Sequence, residues 1–208
     1  MLIFKAFSVL LSYPSQELRE ALPEIAEVIR ASKVVGVRER EALFALIGEI
    51  GEGDLLAVEE RYVDLFDRGR ALSLHLFEHL HGDGRDRGAA MVELKALYAA
   101  AGLELTRSEL PDYLPVVLEY LSRRGGAEAR EMLADCAHII RSIARSLLAR
   151  QSRYAAVPQA LLVIAGEKPV DTAGVRPIAE QPEAIDRDWV ERPAFADASA
   201  PGGGGSAM

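Results

Sequence analysis

The chain has 208 residues, 50% of them hydrophobic and 27% charged, with a net charge of −8 and a pI near 5.1. That acidity excludes a nucleic-acid partner bound through phosphate neutralisation. Its one cysteine, Cys136, excludes an intramolecular disulfide and a Cys-rich zinc site.

No run approaches the ~18 uninterrupted apolar residues that a membrane span needs. The apolar start leads into Tyr13-Pro14-Ser15 rather than a small-residue cleavage site, so no signal peptide is expected. A cytoplasmic protein in a reducing compartment follows from these readings.

From residue 1 to 165 the apolar positions recur with a period near 3.6, which predicts an all-α domain. The first helix covers 3–11 and breaks at Tyr13-Pro14. Ser15 reads as the N-cap of a second helix to residue 31, with Pro23 as a kink or restart. A third covers 38–50 and is stopped by Gly51-Glu52-Gly53. Asp54 caps a fourth, 55–66, whose Leu55, Val58, Tyr62, Leu65 and Phe66 share a face. Residues 72–81, apolar nearly all round, predict a buried helix closed by Gly82-Asp83-Gly84. Further helices are expected at 87–101, at 112–123 with Pro115 in the first turn, and at 157–165. The most regular pattern runs without interruption from 127 to 150 and predicts a single helix about 36 Å long. Short connections favour antiparallel neighbours, so the fold class is all-α: one compact bundle of about eight or nine helices.

Residues 166–208 differ. They hold five of the ten prolines, carry eight acidic against four basic residues, and include Gly202-Gly203-Gly204-Gly205. Such a segment buries too little surface to offset its ordering entropy, so a disordered acidic tail is expected, with Trp189 and Phe195 as a docking element.

Most candidate chemistry has a plainer explanation. His75-Leu76-Phe77-Glu78-His79 fits H-x-x-E-H, which on a helix would place His75 and His79 one turn apart with Glu78 as base. The competing explanation is a set of hydrogen-bonded histidines in a crowded helical core. The G-x-G triplets lack a strand, a third glycine and a lysine, and read as helix stops. Cys136 lies on an apolar face, where a thiol is inert. The acid pairs Glu59-Glu60 and Glu109/Asp112 read as solvated faces. Arg141, Arg145, Arg150 and Arg153 read as solvent-exposed.

Two segments stand out. One is Tyr62-Val63-Asp64-Leu65-Phe66-Asp67-Arg68-Gly69-Arg70, the other Glu109-Leu110-Pro111-Asp112-Tyr113-Leu114-Pro115. Apolar residues interleaved with carboxylates suit a groove for a basic amphipathic peptide; helix capping and corner packing would explain them equally well.

Together with Ser73-Leu74-His75-Leu76-Phe77-Glu78-His79-Leu80-His81-Gly82, Arg85-Asp86-Arg87-Gly88 and the opening Phe7-Ser8-Val9-Leu10-Leu11-Ser12-Tyr13-Pro14-Ser15, these segments resemble the NarJ family of nitrate reductase assembly chaperones, within the wider TorD-like superfamily. The likeness covers about residues 1–165. It implies a cytoplasmic, non-enzymatic chaperone without a cofactor of its own. Its partner would be the catalytic molybdenum subunit of nitrate reductase, bound at its N-terminal leader, with molybdenum cofactor insertion supported and membrane attachment delayed. Leu65-Phe66-Asp67-Arg68-Gly69 matches the superfamily's Leu-Phe-x-x-Gly theme, and Glu109-Leu110-Pro111-Asp112-Tyr113 its acid-proline-acid-histidine motif, with Tyr113 in place of histidine.

The expected groove is lined by Tyr62, Leu65, Phe66, Phe77, Tyr113, Leu114 and Tyr120. Asp64, Asp67, Asp112 and Glu119 would meet basic residues of the leader, and Arg68 lies in the adjoining turn. The rival readings are a small zinc hydrolase using His75, Glu78 and His79, and a generic helical adaptor.

Overall fold

The structure is a computed structural model that describes residues 1–68, 70–80, 84–105 and 109–177, without the side chains of 84–86. Within them are nine α-helices: α1 (Leu2–Leu10), α2 (Gln16–Ala31), α3 (Val37–Glu52), α4 (Leu55–Phe66), α5 (Gly84–Ala100), α6 (Leu114–Ser122), α7 (Gly126–Asp135), α8 (Ala137–Ala149) and α9 (Ala156–Ala165). The all-α expectation holds. No described helix is long and apolar enough to cross a membrane.

The helix ends follow local chemistry. Ser15 Oγ accepts from the Leu18 amide and Asp54 Oδ2 from the Ala57 amide, each occupying a donor that the first helical turn leaves unpaired. Pro23 neither ends nor restarts α2, which continues to Ala31. Gly51 lies inside α3, and Gly53 follows its last residue. At the end of α9, Gly166 takes a left-handed φ of 88°. The Glu167 and Gly166 amides then reach back to the Leu162 and Val163 carbonyls, a paired C-terminal lock.

The core is built where α1 packs on α6, and where α9 packs on α3, α7 and α8. Phe4, Phe7, Leu10, Leu118, Leu121, Ile140, Leu147, Val157 and Leu161 are wholly or almost wholly buried there. Ser8 is buried between α1 and α6, and its hydroxyl donates to the Pro115 carbonyl at 2.7 Å.

Two sequence expectations need correction. The single helix over 127–150 is two, α7 and α8, joined at Cys136, whose ψ of 10° leaves helical geometry. The apolar period crosses this junction because both helices pack against α9. The buried α-helix over 72–81 does not form either. Arg70–Leu72 and Leu76–His79 are short 3₁₀ turns. The chain between them is extended and pairs with the approach to α6: Leu76 N–H donates to Asp112 O at 3.0 Å and Leu114 N–H to Leu74 O at 2.8 Å. A segment apolar on all sides satisfies burial in either geometry, and the cross-chain hydrogen bonds decided it.

Past Ala165 the chain is exposed at 166–169 and returns to the core at Val170, which is buried and exchanges two hydrogen bonds with the Gln159 carboxamide. Arg141, read as solvent-exposed, binds the Glu167 carboxylate and the Lys168 carbonyl. Gly69, His81, Gly82, Asp83 and the tail from 178 on, with Trp189 and Phe195, lie outside the described residues.

Candidate functional site

The two segments singled out in the sequence meet. Tyr62 on α4 gives its phenol proton to the Leu11 carbonyl at 2.8 Å, and Tyr113 donates to the Tyr62 oxygen at 3.2 Å. Tyr13 stands edge-on to Tyr62 at 5.6 Å between ring centroids, and His75 lies 5.1 Å from Tyr113. An aromatic row thus crosses from the α1–α2 turn, over α4, to the segment before α6. Tyr62 is buried, Tyr113 and His75 are half-buried, and Tyr13 is 49% exposed.

Carboxylates border the row. Partial desolvation, together with Glu59 and Asp67, raises the Tyr13 phenol above its ordinary value. Burial, with Asp67 and Glu109 adding to it, raises Tyr113. Tyr62 is pushed up further, chiefly by burial. All three stay neutral near pH 7, as hydrogen-bonding apolar surfaces rather than acids or bases.

Asp112 has a different place from the one expected. It is fully buried, and its carboxylate accepts from the Phe77 amide at 3.1 Å and faces His75 Nδ1 at 3.4 Å. The reading of Glu109/Asp112 as a solvated pair therefore fails for Asp112. This carboxylate pins the 75–77 turn against the start of α6, leaving it no exposed face for a client's basic residue. The Glu-Leu-Pro-Asp-Tyr string builds a corner that presents Tyr113 and Phe77.

The remaining expected residues divide cleanly. Leu65, Phe66 and Leu114 are buried, with Phe66 4.8 Å from Tyr62 and 5.2 Å from Tyr154, so Phe66 backs the aromatic row from the core. Phe77 is half-buried and packs on the core edge. Asp64, Asp67 and Arg68 are exposed, with Asp64 and Arg68 paired at 3.1 Å. Glu119 and Tyr120 belong elsewhere: Glu119 pairs with Lys5 on α1 at 2.6 Å, and buried Tyr120 packs against Tyr98 under the Arg124 guanidinium. An open groove lined by all seven expected apolar residues does not exist, because five of them are core.

The H-x-x-E-H string does not form the expected metal helix. His75 precedes its turn in extended geometry, and His79 Nε2 is hydrogen-bonded to the Ser73 carbonyl at 2.8 Å. Glu78 lies 3.9 Å from Arg87, and its carbonyl accepts from Arg70. No group of three or more His, Cys, Asp or Glu suited to a metal occurs among the described residues. At the α7–α8 junction, burial pushes the Cys136 thiol up to about 11, and its Sγ donates to the Met132 carbonyl, so it is a poor nucleophile.

Tyr13 joins the row from outside the two segments that stand out in the sequence. Its signal was present, an aromatic immediately before the proline that ends the first helix. What placed it beside Tyr62 was the fold.

The sequence pattern of the family described as nitrate reductase delta subunit matches residues 13–157, a span that contains the whole aromatic row. The chain is 41% identical over 189 residues to the nitrate reductase molybdenum cofactor assembly chaperone NarJ of Escherichia coli K12, covering 88% of this chain and 80% of that protein. It is 35% identical over 196 residues to the probable chaperone NarW of the same organism, covering 92% and 82%. It is 32% identical over 178 residues to the probable chaperone NarJ of Bacillus subtilis 168, covering 85% and 92%. The chain belongs to the nitrate reductase delta subunit family.

Proposed function

We infer that this protein is an assembly chaperone for a nitrate reductase, supporting molybdenum cofactor insertion into the catalytic subunit. It works in the cytoplasm by binding rather than by turnover. The client element is the N-terminal leader of the molybdenum subunit, taken as a basic amphipathic helix that is held away from the membrane until the cofactor is in place. Similarity to relatives named for this role supports the chaperone reading.

The observation that carries the leader reading is the aromatic row ending at half-buried Tyr113, with exposed Asp67 beside it and Phe77 close by across the Asp112 corner. Apolar anchors of the leader settle on Tyr113 and Phe77, and Asp67 meets a basic residue. Asp112 acts at one remove, by holding the 75–77 turn. The electrostatic part of such binding weakens with salt while the apolar part persists.

Fluorescence polarisation of a labelled leader peptide against the intact protein tests this. Phe77→Ala and Tyr113→Ala are each expected to weaken binding roughly tenfold, as anchor truncations do. Failure of the intact protein to bind the leader would overturn it.

A further inference from the structure

The outward face of α4 sets exposed apolar side chains among carboxylates. Leu56, Glu60 and Val63 follow helical spacing along it, with Glu59 and Asp64 at their flanks and Tyr13 against its side. They line a shallow groove of about 390 Å³. Leu56 is 62% exposed and Tyr13 49%, although α4 buries Val58, Tyr62, Leu65 and Phe66 on its other side. Two exposed apolar side chains beside three carboxylates are a poor surface for water alone, and a good one for a partner with apolar residues and positive charge.

Arg68 closes the far end. It lines the same groove and holds Asp64 from one turn away at 3.1 Å, with both side chains more than half exposed. An exposed pair of this kind contributes little to stability. Geometrically, it places a guanidinium where a partner's arginine would bind.

We propose that the outer face of α4 receives the basic stretch of the client leader, and that Arg68 is an internal stand-in which the leader's arginine displaces from Asp64. This rests on the leader-binding reading and extends it: the apolar part of the leader lies at Tyr113 and Phe77, and the basic part runs past Tyr13 onto α4. The twelve residues of α4 offer about 18 Å of face, enough for three turns of a bound helix. Charge complementarity selects this occupant, because a second copy of this acidic chain would bring like charge to Glu59, Glu60 and Asp64.

The test uses the full chain, a labelled synthetic leader peptide and three proteins: the intact chain, Glu59→Gln/Glu60→Gln/Asp64→Asn, and Arg68→Ala. All four substituted positions are at least partly open to solvent, and circular dichroism checks that the fold persists. The triple variant is expected to bind roughly tenfold more weakly at low salt, with a flatter salt dependence. Arg68→Ala is expected to bind roughly twofold more tightly. Unchanged affinity and salt dependence in the triple variant, with binding still lost on Tyr113→Ala, would overturn this placement and leave the leader reading standing. No binding by the intact chain would remove both. Variants that keep leader affinity but dissociate a homodimer on gel filtration would assign the face to a second copy and overturn the proposal.

Discussion

Helices α9 and α5 are both rich in apolar residues and finish in opposite surroundings. Eight of the ten residues of α9 are buried, enclosed by α3, α7 and α8. Along α5, from Arg87 onward, Tyr98 is the one buried side chain, while Val92 is 68% exposed. Its attachment runs through the Tyr98 phenol, which donates to the Pro111 carbonyl at 2.8 Å, and through the Tyr98 ring against Tyr120. Periodicity shows that a helix has an apolar face, and it is silent on how much protein will cover that face.

The contrast predicts very different sensitivities. Leu161→Ala in α9 removes a wholly buried side chain and should lower stability by about 2–5 kcal/mol through lost burial and a residual cavity. Val92→Ala in α5, at a position 68% exposed, should change it by less than about 0.5 kcal/mol. Urea unfolding of the pair decides the matter, and similar losses would break the comparison.

The corner to which α5 is attached comes next in size. Asp112→Ala orphans the Phe77 amide and frees His75, at an expected cost of about 1–3 kcal/mol. Leader affinity should fall with it, since the 75–77 turn would no longer be held. Full stability in the variant would show that the corner stands without its carboxylate.

The smallest expected effect sharpens the account of α5. Tyr98→Phe removes a single hydrogen bond and should cost about 1 kcal/mol, with faster amide exchange concentrated in α5. Burial, then the Asp112 charge, raise the Tyr98 phenol above the ordinary phenol value of about 10. The folded state therefore holds this proton more tightly than the unfolded chain. The stabilisation is complete below pH 10 and is lost as pH rises above it. The Phe variant should lose less stability between neutral and strongly alkaline pH than the parent does, and equal losses would remove Tyr98 from that effect.

Much of the fold was legible. Ser15 and Asp54 announced their helices because a cap is a local hydrogen bond, formed within three residues of chain. The break at Cys136 was hidden because two helices sharing one partner keep one apolar phase. The extended stretch at 74–76 was hidden because its hydrogen-bond partners lie nearly forty residues away, at 112–114. Of the candidate site, both segments were visible as aromatic and acidic strings, but the sequence could not sort half-exposed side chains from buried ones. Tyr62, Leu65 and Phe66 read the same as Tyr113 and Phe77 until burial separates them.

The sequence by itself determined the helical class, the capped starts of α2 and α4, and the family likeness, all of which rest on short-range periodicity or on contiguous strings. Tertiary structure alone decided that Asp112 is a buried clasp while Asp64 and Asp67 face water, and that Tyr13 completes the aromatic row. The reason is physical. A carboxylate's role depends on whether water or a donor surrounds it, and that environment is assembled from residues far apart in the chain.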